Sequence, residues 1–357
     1  MAIRIEILSD MHESDYVDLC HSDPSSLLFH TLAYRRFLEM ELSPITAKYL
    51  LAYDGDNLVG ALPAMLMQGP KGVVANSLPF YGSNGGFIGG ETATESVRKC
   101  LLDSFDDMCQ EHDVVVSTIV ANPLRDDREW MIDVYKPDFQ DSRIGQLTPL
   151  PSPGSEAEDT ENLMAMFHQK TRNMVRKGVR SGFDVDHEGS EEAMRGLHQI
   201  HTANMAAIGG QAKNWSAFAA IRECFEYEQD YRVYTARRSG QLEAALLVFR
   251  SNLTAEYFTP VVSESSRSDQ PLSHLILMAM MDSMHDGCEW WNWGGTWLSQ
   301  EGVYRFKSRW GTEDRRYSYL VKAHQDLSDL GRMTPRAILD AYPGFYVLPF
   351  SELESHV

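Results

Sequence analysis

Chemistry-bearing residues gather in three stretches of this sequence. The densest is EWWNWGGTWLSQEGVYRFKSRWG, residues 289–311. Strand alternation places Trp291 and Trp293 on one face and Trp290 and Asn292 on the other. Gly294-Gly295 then permits a tight exit. Lys307 follows Phe306 and precedes Trp310-Gly311. A lysine among aromatics either snorkels at a surface or is a cation held in a partly dry pocket. Tryptophan stripes by themselves favour core. Gly-Gly, Lys and Trp-Gly together favour a site.

The second stretch is HQKTRNMVRKGVRSG, residues 168–182, with Lys170, Arg172, Arg176, Lys177 and Arg180 and no acid. Arg172 and Arg176 are four apart and share a helix face. Such a face suits a diphosphate or the phosphates of a carrier. Its alternative is a solvated face balanced by Glu156, Glu158 and Asp159. The third is LPFYGSNGGFIGG, residues 78–90, with Tyr81 and Asn84 among glycines. It reads equally as a ligand-lining loop or a sharp connection. It is neither a GxGxxG opening a helix nor a GKS/T loop, so a nucleotide P-loop is unsupported.

Other chemistries are missing: the sequence has no GxSxG and no HExxH. His198 and His201 read as a surface pair, and no metal site is expected. Five cysteines without a CxxC pair point to free buried thiols, neither a disulfide framework nor a zinc knuckle.

These residues sit in a chain of 357, with 32 basic against 51 acidic side chains and a net charge of −19. That field repels phosphate backbones and anionic headgroups, which argues against DNA wrapping while allowing a local basic patch. The N-terminus lacks a signal-peptide pattern, and the apolar stretch Leu275–Met281 is too short to span a bilayer. A soluble, cytoplasmic protein is expected.

The elements that must position the candidates follow from turn and period signals. Residues 149–160, PLPSPGSEAEDT, bury almost nothing and read as a linker. The expected domains are 1–150 and 161–325, with 151–160 as linker and 326–357 as a tail. Each half carries a hairpin signal: 48–67 turning at Asp54-Gly55, and 230–250 turning at Ser239-Gly240. In the first half a helix over about 92–112 opens at a Thr92-x-x-Glu95 capping box, and a strand follows at 114–120. In the second a helix over about 270–286 has Asp269 as N-cap and Pro271 in its first turn, and a strand follows at 288–293. The pattern predicts two α/β units of one topology with mixed sheets.

The order KxRNxVRKxxxxG (170–182), a Pro-led helix start at 269–271, WNWGG and FKxxWG (306–311) resembles the FemAB-type acyltransferases. FHTLAY (29–34) and LPFYGSNGG (78–86) are similar to that family's first domain, so the resemblance spans nearly all of 25–322. It implies two tandem GNAT-like domains and amide-bond formation on an amine of a sugar, peptide or lipid-linked precursor, related to the cell envelope or polysaccharides. The family's catalytic lysine carries over to Lys307, and its phosphate-binding basic residues to Arg172 and Arg176, with Lys177 beside them. From the glycine-rich loop and the aromatic segment, Tyr81, Asn84, Trp293 and Phe306 are further candidate substrate-binding residues. No tightly bound cofactor is implied; the donor is aminoacyl-tRNA or acyl-CoA. Residues 190–227 offer only two short helices where tRNA-using members carry a long helical hairpin, and the chain is acidic. Both features weigh against tRNA.

Amine attack on an activated acyl carbonyl develops an oxyanion, which a fixed cation such as Lys307 could stabilise. The amine must also lose a proton, for which Glu256, on the expected strand AEYFTP, and Tyr304 are the candidate bases. Two other readings stay open. One is an acetyl-CoA-dependent GNAT acetyltransferase, against which the stretch Arg267–Pro271 lacks a Gly-rich diphosphate signature. The other is a non-enzymatic protein binding a glycan or peptide on a Trp-rich surface.

Overall fold

The computed structural model describes residues 3–80 and 82–354. The expected site residue Tyr81 lies outside the described residues. In chain order, β1 (Arg4–Ile7) is followed by α1 (Glu13–Ser22), α2 (Leu32–Glu41), β2 (Thr46–Ala47), β3 (Leu50–Asp54), β4 (Asn57–Leu62), β5 (Met65–Gly69), β6 (Gly72–Ser77), α3 (Glu95–Glu111), β7 (Val114–Val120), α4 (Arg128–Tyr135) and β8 (Phe139–Pro149). Then come α5 (Glu156–Met166), α6 (Gln169–Arg180), β9 (Asp184–Glu188), α7 (Glu191–Ala207), α8 (Trp215–Cys224), β10 (Tyr231–Arg238), β11 (Gln241–Ser251), β12 (Thr254–Val262), α9 (Pro271–His285), β13 (Trp290–Trp297), α10 (Glu301–Ser308) and β14 (Glu313–Ala323). The chain closes with α11 (Ser328–Gly331) and α12 (Pro335–Ala341). From β1 to β8 and again from β9 to β14, the order is strand, two helices, antiparallel strands, helix, strand, helix, strand. The repeat expected from the paired hairpins is present.

The chain forms two compact units, one running to Arg143 and resuming at Arg316, the other Ile144–Arg315. The boundaries therefore fall inside β8 and β14 and not in the Pro- and Ser-rich run. The reason is local. Ser155 and Glu158 form a capping box, so the expected linker starts α5 at Glu156. The buried Asp159 ties that turn down by accepting from the Gly154 amide at 2.7 Å.

The expected tail is also corrected: it belongs to the first unit. The Asn76 side chain bonds both the amide and the carbonyl of Tyr346, at 2.7 and 2.8 Å. Tyr342 lies so close to Gly69 that a methyl group there would meet its ring at 2.1 Å. In this unit β5, β6 and β7 stand side by side, β6 and β7 parallel across α3. Leu101, Phe105 and Met108 of α3 are buried against Val114 and Ile119. The helix starts later than expected. Thr94, not Thr92, is its cap and accepts from Val97 N. The Thr92 hydroxyl instead donates to Val59 O and Gly89 O, at 2.8 and 2.6 Å.

In the second unit β9, β10, β11 and β12 form an antiparallel run, and β12 pairs β13 in parallel across α9. The tight turn at Ser239-Gly240 places both residues at positive φ, the conformation a two-residue hairpin demands. Leu275, Ile276, Ala279 and Met280 of α9 are buried against Tyr234, Leu246, Val248 and Trp291. Burying a Leu, Ile or Met side chain in this way contributes ~1.5–3 kcal/mol. Asp269 does not cap α9; it pairs with Arg238 at 2.9 Å, and Gln270, at φ +63°, precedes Pro271. The strand expected at 288–293 runs from Trp290 to Trp297. Among the described residues no helix is long and apolar enough to cross a membrane.

Candidate active site

The second unit's sheet opens where β12 and β13 part. Their parallel register runs Thr254 to Trp290, Ala255 to Trp291 and Glu256 to Asn292, and stops there among the described residues. β12 continues along β11, but its register shifts where Val248 faces Tyr257 and Leu247 faces Thr259. Phe258 is the extra residue of a bulge. Bulges bend a strand and re-aim its side chains, and they concentrate beside active sites.

Glu256 stands at this fork, 4% exposed. Its Oε1 has no hydrogen-bond partner among the described residues, and neither do the buried hydroxyls of Thr254 and Thr259 on the same strand. A buried polar atom left alone costs about 1–3 kcal/mol, so three on one strand mark a place kept for something other than stability. Burial pushes the Glu256 carboxyl up to about 8, with the Asn292 side chain pulling the other way. Asn292 also accepts from Gly294 N at 2.8 Å and so shapes the strand beyond the fork.

Gly294 has φ +71°, open to glycine and strained for other residues. Successive carbonyls alternate in a regular strand; here those of Gly294 and Gly295 converge on one cation. Lys307 Nζ donates to Gly294 O at 3.2 Å, Gly295 O at 3.1 Å and Thr296 Oγ1 at 3.0 Å. An ammonium has three protons, and all three are used. Burial alone lowers the Lys307 pKa to about 8. Thr296 passes its own proton to Gln146 Oε1 at 3.1 Å. Gln146 Nε2 reaches Tyr304 O at 3.3 Å, which ties α10 to β8 and β13. Lys307 is thus a clamp on the glycine turn, neither a surface snorkeller nor a cation with a free proton.

The structure gives the other expected site residues different work. Tyr304 donates its phenol proton to Asp314 Oδ2 at 2.8 Å, which raises its pKa and keeps that proton engaged. Trp293 belongs to the core: its Nε1 donates to Thr148 Oγ1 at 3.0 Å, and its ring meets Tyr257, Phe306 and Trp310. Phe306 fills the same cluster, half-buried. Asn84, in the first unit, is buried and donates to Ala121 O at 2.8 Å, which makes its loop a packed connection. His198 and His201 are not a surface pair. They bracket Lys213, His201 Nε2 accepting from its amide at 3.1 Å and His198 Nε2 lying 3.2 Å from its carbonyl. Among the described residues no cluster could hold a metal ion. The five cysteines are free, three of them buried.

Arg172 and Arg176 lie on α6 beside a cleft of about 680 Å³, which Lys177 does not line. Two of the three carboxylates expected to balance them do other things: Glu158 caps α5, and Asp159 meets His285 at 2.7 Å. The opposite side of α6 is pressed onto the start of α9. A methyl group at Gly178 would meet Gln270 O at 2.4 Å, and Ser181 Oγ donates to Asp269 O at 2.9 Å. Reading the sequence by motif missed Thr296, Gln146 and Thr148, and gave Asn292 a strand face but no role. The one signal for them was polar residues placed inside otherwise apolar strands.

Comparison with known proteins agrees with this architecture. Residues 167–308 match the family described as an acetyltransferase (GNAT) domain. No curated protein matches the sequence. Among solved structures, FemX superposes with a TM-score of 0.72 at 12% identity, over 89% of this chain and 97% of its own. A tandem GNAT protein from the clavulanic acid biosynthesis pathway gives 0.55 at 12% identity, over 90% and 98%. The C-terminal domain of a protein from Agrobacterium fabrum described as a lysylphosphatidylglycerol synthetase gives 0.57 at 14% identity, over 95% and 99%. This chain therefore has the fold of FemX and of the tandem GNAT protein, and its residues 167–308 match the acetyltransferase (GNAT) domain family.

Proposed function

We propose that this protein is an N-acyltransferase that joins an activated acyl group to an amine of a sugar, peptide or lipid-linked precursor. The observation that carries this reading is Glu256, a buried carboxyl at the fork of β12 and β13 whose Oε1 has no partner among the described residues, pushed up to about 8. A base with a pKa near the working pH is suited to take a proton from an ammonium. The amine nitrogen attacks the acyl carbonyl, a C–N bond forms, and the C–O or C–S bond of the donor breaks. Glu256 takes the proton the amine sheds and returns it to the departing alkoxide or thiolate. Lys307 acts as a positioning residue: it holds the Gly294–Thr296 turn that borders the fork.

The donor is an activated ester or thioester. The family description favours acetyl-CoA. At the start of α9, Pro271 removes one backbone donor that a CoA diphosphate could use, and the end of α6 packs against the carbonyls of Asp269 and Gln270. That observation favours an aminoacyl ester or another acyl carrier. Burial of Trp291, Trp293 and Trp310 weighs against the glycan- or peptide-binding reading, which keeps only Trp290 and Trp297 at the surface of this stretch.

The test is product formation. The protein is incubated with aminoacyl esters, aminoacyl-tRNA and acyl-CoA thioesters against amino-sugar and peptide amines, and amides are sought by mass spectrometry. An amide that depends on Glu256 supports the proposal. Hydrolysis alone, or no product with any donor, contradicts it.

A further inference from the structure

Two histidines of α7 spend ring nitrogens on the backbone of one residue. His201 Nε2 accepts from the Lys213 amide at 3.1 Å, and His198 Nε2 lies 3.2 Å from the Lys213 carbonyl. Both rings also pack on Phe218 of α8. Burial lowers the His201 pKa to about 4, with the Lys213 charge adding to it, so the ring stays neutral and keeps its place as acceptor. About one turn further on, the Asn204 side chain bonds the amide and the carbonyl of Val262, at 3.2 and 3.0 Å, and pins α7 to β12. The end of the α7–α8 connection is thus mounted on the sheet, and the mount fixes the backbone from which one cation projects.

Lys213 Nζ lies over the Phe258 ring, 5.0 Å from its centre. Phe258 is the bulged residue of β12, two past Glu256. Its ring meets that of Phe249 edge-on at 5.0 Å, and Phe249 is the direct cross-strand partner of Glu256. Opposed residues of an antiparallel pair share a face, so the Phe258 ring, the lysine over it and the Glu256 carboxyl lie on one side of the sheet. Thr259, opposite Leu247, is on that side too, and its buried hydroxyl has no partner among the described residues. Among the described residues no carboxylate or other hydrogen-bond acceptor meets Lys213 Nζ, although the side chain is half-buried. Burial lowers its pKa to about 8, which leaves it an ammonium at neutral pH. In a chain with 51 acidic side chains, this cation is left without one of them.

We infer that Lys213 receives a carboxylate, and that the amine acceptor is therefore a molecule carrying both an amino group and a carboxylate. This rests on the acyl-transfer reading for the amine end: the amine meets Glu256, and the carboxylate meets Lys213 and Thr259. The charge count favours a carboxylate over a phosphate. One ammonium neutralises one carboxylate, whereas a phosphate dianion would keep a second charge in a half-buried place with a single hydroxyl to meet it. An amino sugar or a plain alkyl amine brings no anion and would leave Lys213 unpaired.

The test is a ligand-observed NMR titration of the full chain with β-alanine, 4-aminobutyrate and 6-aminohexanoate, each against its carboxamide and an aminoalkyl phosphate of matching length. At least one acid should bind about tenfold or more tightly than its amide, the difference a charge-assisted hydrogen bond makes. Lys213→Met keeps the stem on Phe258 and both backbone contacts with the histidines. It should bring the acid down to its amide while the melting temperature holds or rises, because it removes an unpaired charge. A lysine that only staples the loop would give the reverse, a lower melting temperature and an unchanged ratio of acid to amide. Should Lys213→Met fail to fold, Thr259→Val should still narrow that ratio. Acids and amides binding alike, phosphates binding more tightly than acids, or an acid preference that survives Lys213→Met would each overturn the inference. The titration contains no acyl donor. An acid preference set by Lys213 with no amide product would keep the carboxylate site and sink acyl transfer; amide formation without an acid preference would do the opposite.

Discussion

Replacing Glu256 with glutamine changes one proton and almost no volume, so its effect on stability can be worked out. The carboxyl titrates near 4.5 in an unfolded chain and near 8 here, with burial as the cause. Because the folded value is the higher one, the native state holds a proton between these limits that the unfolded state has released. Stability from this group is therefore intact below about 4.5, falls as pH rises, and is fully lost above about 8. At 1.36 kcal/mol per pH unit the loss amounts to roughly 4–5 kcal/mol. Glutamine cannot ionise and escapes it. Glu256→Gln should match the parent near pH 5 and become more stable by several kcal/mol at pH 9, a melting shift of about 8 °C or more. Urea or thermal unfolding of both proteins from pH 5 to 9 measures the difference. Parallel curves would refute the reasoning, since they would mean that the carboxyl titrates alike in both states.

Lys307→Met leaves two carbonyls and a hydroxyl without their donor, so it should lower stability by about 2–4 kcal/mol along with any activity, read by melting and turnover together. A loss of turnover at unchanged melting would return Lys307 to the role of an oxyanion-stabilising cation. Gly178→Ala should destabilise by about 1–3 kcal/mol despite alanine's better helix propensity, because its methyl meets the Gln270 carbonyl; denaturant midpoints check this. Tyr304→Phe should leave acyl transfer unchanged and cost under about 1 kcal/mol, since it removes only the bond to Asp314.

The tandem architecture was legible because turn chemistry and apolar periodicity act locally. Ser239-Gly240 can hardly be anything but a hairpin turn, and Leu275, Ile276 and Ala279 can bury only one helix face. Domain boundaries were not legible. A run of Pro, Ser and acids looks like a linker, but the tie between Asp159 and Gly154 that pins it forms only on folding. The tail read as detached because its partners, such as Asn76 for Tyr346, lie some 270 residues away. The candidate site was half legible. Glu256 could be picked as a carboxyl on a strand, but its isolation depends on where two strands part, which no spacing encodes. Lys307 stood out by its aromatic company. Its saturation by Gly294, Gly295 and Thr296 is a property of the turn's geometry. Trp293 misled because a tryptophan stripe beside glycines suits a core as well as a pocket.

The central claim is that Glu256 takes the proton from the attacking amine. The most direct test is the pH dependence of kcat/KM for amide formation, parent against Glu256→Gln, with whichever donor and amine give product. The parent should rise with pH and level off above about 8, as the carboxyl loses its proton. Glu256→Gln should fall by about 10²–10⁴-fold and lose that inflection. A variant that keeps both the rate and the inflection would contradict the account.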